Sequence, residues 1–359
     1  MNVVSGETWI LRLPFVRESR DTEDAHHEIV GVTLHSDTGE TGLGFTWCAD
    51  YPAGSSVKAL LDDFLIPRVV GQSALDVSKV WHDLRAVTHR LGYGISSFGI
   101  AAIDIALWDL KSRSNGHSLA RELGQVVSSV PAYGSGKGSP TLSLDELVEL
   151  SAGYVEQGFD AVKIRVGLSP ANDVKRVARL RAELGDDVKI MCDANERLDV
   201  ATALWLGRRL ADFGIYWFEE PVRSDDVEAH VRLAQALPMP IAAGEHLCGI
   251  PEFVSYLNAG ALDVLQPNVC MVGGITEIMR IGHLAAAHGR AFAPHVFSEF
   301  HVHVAAALPR TTSYVEYFPW IDAYVEEPLQ VKGGELVVPD GPGHGLRFTD
   351  NTWDRYRIA

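Results

Sequence analysis

The chain has 359 residues, 47% of them hydrophobic and 22% charged, which is typical of a globular protein with room for a barrel and an added domain. Its 47 acidic and 31 basic residues give a formal net charge of −16, which disfavours nucleic acid and anionic membranes as partners. A small anionic substrate remains compatible with this charge, because a metal ion and a few cations can reverse the local field.

The sequence contains no apolar run of about 18 residues, so we expect no transmembrane helix. Its first residues lack a basic start followed by an apolar core, so we expect no secretory signal. The four cysteines are scattered without CxxC spacing: Cys48, Cys192, Cys248 and Cys270. Such cysteines are typical of reduced thiols, and we predict a cytoplasmic protein.

The first 128 residues predict an α+β domain. Residues 26–48 are interpreted as a hairpin, in which HEIVGVTL alternates its apolar positions, SDTGE turns and TGLGFTW returns. Helical patterns follow in three segments: about 55–70, about 74–91, and a segment that Ser96 or Ser97 caps and that runs to about Ser114.

A different rhythm begins at Val130, where short apolar runs alternate with amphipathic helical stretches. The runs are VPAYGS, FDAVKIRVG, DVKIMCDAN, IYWFEEP, MPIAAGEH, LDVLQPN, RAFAPH and TSYVEYF. This alternation predicts parallel strands with right-handed crossovers, and eight strands favour a closed (β/α) barrel over an open sheet. We predict a barrel over 129–320, and an α+β capping domain formed by 1–128 and a returning tail, 321–359.

Three carboxylates end three successive predicted strands. Asp193 ends DVKIMCD, Glu219 ends IYWFE and Glu245 ends PIAAGE, at intervals of 26 residues, which is one strand–helix unit each. The carboxyl-terminal rim is where barrel active sites lie. Three converging carboxylates repel each other unless a cation lies between them, and an all-oxygen donor set suits Mg²⁺. One such residue alone is usually a helix cap, so the prediction of a single Mg²⁺ depends on the three being in phase.

Glu220 competes with Glu219 for the inward position. Because successive side chains of a strand point to opposite faces, only one of the two can face the barrel interior. We assign Glu219 to the interior and to the metal.

Two cations lie one strand before the carboxylates, in AVKIRVG. Lys163 and Arg165 are two residues apart and share a face, whereas Val162, Ile164 and Val166 take the other face. An inward pair of cations would balance the charge of a substrate carboxylate.

Further polar residues end other strands. His295 ends RAFAPH, and Glu316 lies in YVEYF of the last strand. Asn195 and Asn268 also follow strands and are predicted to contact substrate. All four fall at the same rim as the carboxylates.

Together these motifs resemble the enolase superfamily, and within it the mandelate racemase-like group. The resemblance rests on CDAN, FEEP and AGE with their spacing, the KIR segment, QPNVCMVGGITE, the PH before VFSE and the terminal PDGPGHG. It covers essentially the whole chain and is strongest to acid-sugar dehydratases and sugar-lactone cycloisomerases. It implies a modified barrel of the (β/α)7β type, a homo-oligomer, and Asp193, Glu219 and Glu245 as the Mg²⁺ ligands.

The resemblance also implies a reaction, abstraction of the α-proton of a carboxylate through an enediolate. Enzymes of this superfamily use a Lys or His base with one or two Mg²⁺ ions to stabilise the ene-diolate. Lys163 would add a positive contact to the developing charge, and an acid would assist the next step.

Two positions depart from the mandelate racemase-like pattern. The second lysine of Lys-x-Lys is Arg165 here, and a guanidinium is a poor base. The Asp that pairs with the His is Asn268 here, which should make His295 less basic. Both changes disfavour racemisation by two bases, and we expect His295 to act on one face of the substrate.

The first functional hypothesis is therefore dehydration of a sugar acid to a 2-keto-3-deoxy acid. Cycloisomerisation of a sugar lactone, or racemisation or epimerisation, is the enzymatic alternative, and a catalytically inactive metal-binding scaffold is the alternative from another class. Loops at about 15–27 and 45–55 are expected to cover the barrel mouth and select the substrate. Their candidate contacts are Arg17, Arg20, His26, Trp47 and Tyr51.

Overall fold

The computed structural model describes residues 1–14, 26–48, 53–136 and 140–359. Its amino-terminal part combines a three-stranded antiparallel sheet with a layer of helices. These elements are β1 (Val3–Pro14), β2 (His26–Ser36), β3 (Thr41–Cys48), α1 (Gly54–Leu60), α2 (Ile66–Val69), α3 (Val77–Thr88), α4 (Ile95–Ser114) and α5 (Leu119–Glu122). A π-helical turn, Leu61–Leu65, joins α1 to α2, and a 3-10 turn, His89–Leu91, follows α3.

Two glycines of β3 let α4 pack directly on the sheet. A Cβ on Gly42 would lie 2.1 Å from the carbonyl oxygen of Ala106, and a Cβ on Gly44 would lie 2.1 Å from that of Ala102. The two glycines are two residues apart and therefore face the same side of the strand. The repeated glycine in TGLGFTW is thus a contact surface for α4.

Two features of this part differ from the sequence prediction. Strand β1 was not predicted, because Trp9, Ile10 and Leu11 are all buried and leave no alternating pattern. The predicted serine cap of α4 is wrong: Gly94 is the N-cap, and Ser96 Oγ instead donates to the carbonyl of Gly92 at 2.5 Å.

The second part alternates strands with helices, as the sequence predicted. Its strands are β4 (Ser129–Gly134), β5 (Ala161–Arg165), β6 (Lys189–Asp193), β7 (Trp217–Glu219), β8 (Ile241–Ala243), β9 (Val264–Leu265), β10 (Ala291–Phe292) and β11 (Val315–Tyr317). Its helices are α6 (Leu144–Glu156), α7 (Pro170–Leu184), α8 (Val200–Leu210), α9 (Val227–Ala236), α10 (Ile250–Ala259), α11 (Val269–Val272), α12 (Ile275–Ala287) and α13 (Ser298–Ala307), with a 3-10 turn at Ala211–Phe213.

The strands pair in parallel from β11 to β4 and onward to β10. Between β10 and β11 the described residues form a single bridge, Phe292 with Thr312, rather than a strand pair. The pairing therefore forms a curved parallel ladder whose ends meet at one bridge, and not a closed sheet.

The interior of the ring is filled by one buried residue of each strand or by a buried residue directly next to that strand. Tyr133 packs edge-on against Trp217 and Tyr314, with ring centroids 5.4 and 6.3 Å away. The full inner layer is Tyr133, Ala161, Met191, Trp217, Ala242, Val264, Ala293 and Tyr314. This packed layer fills the interior of the barrel below its carboxyl-terminal rim.

The carboxyl-terminal tail returns to both parts of the chain. It contains a 3-10 turn (Asp322–Tyr324), β12 (Val331–Lys332), β13 (Glu335–Val337) and α14 (Asp350–Tyr356). Strand β13 pairs antiparallel with β4. Ile10 of β1 donates its backbone N–H to the carbonyl of Ala359 at 3.1 Å, and Trp353 contacts the ring of Trp9. The tail thus completes the amino-terminal domain, as predicted.

The four cysteines are free thiols, three of them buried. Within the described part of the chain, every helix is too short or too polar to cross a bilayer.

Candidate active site

The candidate site is the next layer of side chains above the inner layer. Because a strand returns to the same face every second residue, the residue two positions after each member of the inner layer also faces the interior. Applied to the eight residues of the inner layer, this rule gives seven polar residues: Ser135, Lys163, Asp193, Glu219, Gln266, His295 and Glu316. The eighth position is Gly244, two residues after Ala242.

The three predicted metal ligands lie together. Asp193, Glu219 and Glu245 each offer a carboxylate oxygen, and these atoms lie within 4.8 Å of one another. Asp193 and Glu219 face each other in the β6–β7 register, and both are fully buried. Glu245 reaches the site one residue out of phase because Gly244 has a φ of 136°, where a Cβ would lie 2.8 Å from the Phe253 ring.

Lys163 lies among these carboxylates. Its Nζ is 2.5 Å from Glu219 Oε1, 3.0 Å from Glu316 Oε1 and 3.6 Å from Asp193 Oδ2. Burial alone would lower the pKa of Lys163, but the surrounding carboxylates hold it well above its ordinary value. The ammonium is therefore charged and serves as the counter-ion of the cluster.

Arg165 extends the positive charge towards the rim. Its Nη1 is 2.8 Å from Asp193 Oδ2 and also donates to Asn195 Oδ1. Asn195 in turn donates from its backbone N–H to Asp193 Oδ1 at 2.8 Å. Lys163 and Arg165 therefore both point inward, as predicted, and Asn195 orients a predicted metal ligand.

Glu219 is held by two donors besides Lys163. Trp217 Nε1 donates to Glu219 Oε2 at 2.9 Å, and Gln266 Nε2 donates to the same oxygen at 2.8 Å. Burial raises the pKa of Glu219 to about 8, against the opposing effect of Lys163. A divalent cation would favour the ionised form of this carboxylate.

Glu316 connects the lysine side of the site to the histidine side. Its Oε1 accepts from Ser135 Oγ at 2.6 Å, and its Oε2 accepts from the backbone N–H of Val296 at 2.8 Å. Burial opposes ionisation, but Lys163 and His295 hold the pKa of Glu316 below its ordinary range. The same oxygen Oε2 lies 3.9 Å from His295 Nε2.

His295 projects Nε2 into the site, 3.0 Å from Glu245 Oε2. Its Nδ1 lies 3.1 Å from Asn268 Nδ2. Asn268 is the N-cap of α11, and its Oδ1 accepts the backbone N–H of Cys270 at 2.9 Å, which turns the amide nitrogen towards the ring. An amide nitrogen can only donate, so Nδ1 accepts and neutral His295 carries its proton on Nε2. Burial lowers the pKa of His295, against the effect of Glu245 and Glu316.

Sequence reasoning missed four side chains of the site: Ser135, Trp217, Gln266 and Tyr133, whose buried hydroxyl group has a pKa raised by burial and by Glu316. The signal was present in the phase of the strands. Trp217 lies two residues before Glu219, and Gln266 lies two residues before Asn268.

The predicted contacts from the capping domain are placed only in part. Arg17, Arg20 and Tyr51 lie outside the described residues. His26 is the first residue of β2, opposite Pro14. Trp47 packs against the rings of Phe297 and Trp320, at 5.0 and 5.5 Å, and so lies over the segment that follows His295.

The donor set fits Mg²⁺. The three carboxylates supply only oxygen, they converge at the rim, and a cation between them would reduce their mutual repulsion. Asp193, Glu219 and Glu245 would hold the ion, and the remaining positions would be open to water and substrate oxygens.

Two known protein families match the chain. Residues 2–124 match the family described as mandelate racemase / muconate lactonizing enzyme, N-terminal domain, and residues 146–352 match the family described as enolase C-terminal domain-like. Between them, the two matches include every described residue of the candidate site except Ser135 and Tyr133.

Similar proteins act on acid sugars. An L-talarate/galactarate dehydratase from Salmonella typhimurium is 34% identical over 89% of this chain and 80% of its own length. A D-galactarolactone cycloisomerase from Agrobacterium fabrum is 32% identical over 100% of this chain and 99% of its own length. The crystal structure of L-talarate dehydratase from Polaromonas sp. JS666, complexed with Mg and L-glucarate, is 32% identical with a TM-score of 0.92, covering 100% of this chain and 98% of that chain. The likeness along the whole chain confirms the predicted fold class, a modified barrel with a capping domain.

Proposed function

Because this chain belongs to the mandelate racemase/muconate lactonizing enzyme family of the enolase superfamily, we propose that it is a magnesium-dependent dehydratase of a sugar acid. The enzyme removes the α-proton of the substrate carboxylate and forms an enediolate. The enediolate expels the β-hydroxyl group, which leaves as water after protonation, and the resulting enol tautomerises to a 2-keto-3-deoxy acid. The observation that carries this proposal is the convergence of Asp193, Glu219 and Glu245 with Lys163 and His295 at one rim of the barrel.

The charges of the site are arranged for an anion that becomes more negative. Mg²⁺, when bound by the three carboxylates, supplies a Lewis acid for the substrate carboxylate. Lys163 supplies a charged ammonium whose counter-ions are already fixed, so little reorganisation is needed as negative charge develops. Arg165 keeps its charge at any relevant pH and positions Asp193 and Asn195 rather than moving a proton.

His295 protonates the leaving hydroxyl group. The tautomer selected by Asn268 carries its proton on Nε2, the nitrogen that faces the site, and this is the form of a general acid. An Asp at position 268 would select the opposite tautomer, with a lone pair on Nε2. Asn268 thereby favours elimination over racemisation.

The α-proton needs an acceptor with a free lone pair, which Lys163 has only as the neutral amine, after its proton passes to a neighbouring carboxylate. His295 has one on Nε2 only in its minor tautomer, with the ring proton on Nδ1. Solvent exchange separates these two acceptors. In D₂O, a variant that lacks only the leaving-group acid still exchanges the α-proton without forming product. Exchange that survives in His295→Asn assigns the α-proton to Lys163. Exchange that is lost in His295→Asn and kept in Lys163→Met assigns both proton transfers to His295.

The central experiment is a screen of four- to six-carbon aldonic and aldaric acids and their lactones with Mg²⁺, in which the 2-keto product is trapped as its semicarbazone. We expect product with Mg²⁺, none after chelation, and none with Asp193→Asn, which preserves side-chain volume but removes one ligand charge. Absence of both product and deuterium exchange across the panel, with Mg²⁺ still bound, would overturn the proposal and favour a metal-binding scaffold.

Cycloisomerisation is the second candidate, because a cycloisomerase matches 100% of this chain. In that reaction the same α-proton is removed, and the β-oxygen of the lactone ring leaves instead of a hydroxyl group, so no water is released. The screen separates the two reactions, since a cycloisomerase consumes a lactone and leaves the corresponding open acid unchanged.

The domain bounds, the substrate contacts, the location and the oligomeric state are proposed as the sequence predicts them. The chain is divided at 128/129 and at 320/321, the substrate-selecting loops carry Arg17, Arg20 and Tyr51 with His26 and Trp47, and Asn195 and Asn268 lie near the substrate. The enzyme is cytoplasmic and homo-oligomeric, without nucleic-acid or membrane partners. Its net charge of −16 and its free cysteines support the cytoplasmic location and the absence of such partners.

A further inference from the structure

A second cluster of potential metal ligands lies beside the first, on the same three strand ends. Glu196 follows β6, Glu220 directly follows β7, and His246 follows β8 one residue after Glu245. Each offers one ligand atom, and these atoms lie within 4.8 Å of one another. The proposed reaction uses none of the three.

The potential ligand atoms of this cluster already lie close together. His246 Nδ1 is 2.9 Å from Glu220 Oε1 and 3.8 Å from Glu196 Oε1. Glu220 is buried, with 1% of its side chain exposed, whereas the His246 side chain is 45% exposed. A cation could therefore enter from the solvent side and meet a fixed carboxylate.

The backbone holds the two carboxylates in place at a cost. Glu196 and Glu220 have φ angles of 60° and 37°, in the left-handed region that non-glycine residues rarely adopt. The N–H of Glu196 donates to the carbonyl of Glu220 at 2.8 Å, and the N–H of Ser224 donates to Glu196 Oε1 at 2.5 Å. The first contact joins the two backbones, the second holds the Glu196 side chain, and the Glu220 side chain is held by His246.

An independent observation points to a missing ligand. Glu220 Oε2 is buried and has no hydrogen-bond partner among the residues that the structure describes. A buried carboxylate oxygen without a donor is costly, because burial removes its water and nothing replaces it. The neighbouring Oε1 contacts His246, so the carboxylate that a cation would contact has one oxygen paired and one oxygen without a donor.

We propose that Glu196, Glu220 and His246 form a second divalent-cation site, selective for borderline metals such as Co²⁺, Zn²⁺ or Mn²⁺ over Mg²⁺. Two carboxylates with one imidazole nitrogen suit these metals, whereas Mg²⁺ prefers oxygen alone. The cation would replace the proton that His246 shares with Glu220. Its positive charge would also offset the excess of carboxylates behind the Mg²⁺ site, where Glu245 Oε1 lies 4.0 Å from His246 Nε2.

The test counts bound Co²⁺ by equilibrium dialysis in a background that disables the first site. Asp193→Asn removes a ligand of the first site and none of the second, and we expect it to bind one Co²⁺ per chain. The wild type without Mg²⁺ should bind two. Asp193→Asn that binds none, or a wild type that binds only one, would overturn the proposal and leave Glu220 and His246 as a plain ion pair.

A matched pair of histidine variants makes the test specific. In the Asp193→Asn background, His246→Ala should lose the bound Co²⁺, whereas His283→Ala, at an exposed position of α12, should keep it. Glu220→Gln should lose it as well and, unlike His246→Ala, preserves side-chain volume. Near-ultraviolet circular dichroism checks that each variant is folded. Retention of Co²⁺ by both cluster variants would place the ion elsewhere. These measurements do not depend on turnover, so they can fail while the proposed dehydratase activity stands.

Discussion

Two carboxylate clusters arise from the same three strand ends, and they differ in what balances their charge. The first cluster, Asp193, Glu219 and Glu245, has Lys163 among its oxygens and Arg165 beside Asp193. In the second cluster, Glu196, Glu220 and His246, the imidazole is itself the charge partner of Glu220, and within the described residues one buried oxygen of Glu220 has no hydrogen-bond partner.

The difference follows from alternation along a strand. Glu219 faces the barrel interior, where the inner faces of the neighbouring strands supply Lys163 and Gln266. Glu220, one residue later, faces the opposite way towards His246. Adjacent residues therefore enter sites of different chemistry, an all-oxygen site suited to Mg²⁺ and a mixed site that includes nitrogen.

The largest expected effect comes from replacing Glu219, the inward-facing one of the two adjacent glutamates. Glu219→Gln should lower turnover by at least ~10³-fold, about 4 kcal/mol of transition-state stabilisation, and should weaken Mg²⁺ binding. Glu220→Gln should weaken Mg²⁺ binding far less, because its carboxylate faces away from the first cluster. Calorimetric titration with Mg²⁺ and steady-state kinetics measure both, and the reverse order would show that the inward assignment is wrong.

Removing the internal counter-ion separates catalysis from metal binding. Lys163→Met should slow the chemical step by about 10³-fold in single-turnover measurements, because the developing negative charge loses a preorganised ammonium. Mg²⁺ affinity should stay the same or rise, since the carboxylates lose a competing cation. Lys79→Met, at a surface position of α3, is the control. A parallel loss of Mg²⁺ affinity and rate in Lys163→Met would contradict this role.

His295 is proposed to carry proton transfer without binding the metal. His295→Asn should lower turnover by about 10²- to 10⁴-fold while the protein folds and binds Mg²⁺, and His283→Asn should behave as wild type. Substrate recovered from the wild-type reaction should keep one configuration at the α-carbon. Near wild-type turnover in His295→Asn, or both configurations in the recovered substrate, would count against single-face chemistry.

A substitution of Asn268 tests which ring nitrogen of His295 carries the proton. Asn268→Asp replaces a donor to Nδ1 by an acceptor, which moves the ring proton to Nδ1 and leaves a lone pair on Nε2. The rate of α-proton exchange relative to dehydration should rise by about tenfold, within the range found for partners that orient a reactive imidazole. An unchanged ratio would mean that Asn268 does not set the tautomer.

The smallest expected effect lies away from both clusters, at His303 of α13. Its Nδ1 accepts the Ala120 N–H at 3.2 Å and its Nε2 faces the His344 carbonyl at 3.1 Å. Burial lowers the pKa of His303 from an ordinary 6.5 to about 4. The folded state binds fewer protons than the unfolded state between these values, so stability falls as the pH is lowered through this window and is unaffected above it. The loss is about 3 kcal/mol.

Urea unfolding between pH 7 and pH 4 measures this effect through the slope of stability against pH. Across this range His303→Gln should lose about 3 kcal/mol less stability than the wild type, whereas His283→Gln, at an exposed site, should lose as much as the wild type. An identical slope in wild type and His303→Gln would exclude His303 as the titrating group.

Much of the fold was predictable, because period and spacing are local properties of the chain. The hairpin of β2 and β3, the eight barrel strands and the convergence of the three carboxylates follow from alternation and from the 26-residue interval between carboxylates. Strand β1 was not predictable in the same way, since α14 and the capping helices bury both of its faces and erase the alternation.

The sequence by itself determined which residues share the rim, because residues two apart on a strand share a face and each unit repeats the geometry. Only the tertiary structure decided what each residue does there. Whether Glu245 joins the cluster depends on the positive φ of Gly244, and the tautomer of His295 depends on the cap of a helix one unit away. One oxygen of Glu220 has no hydrogen-bond partner in the described part of the chain, because burial excludes water from it. Such properties arise between segments distant in sequence, where packing fixes distances and removes solvent, and no local pattern encodes them.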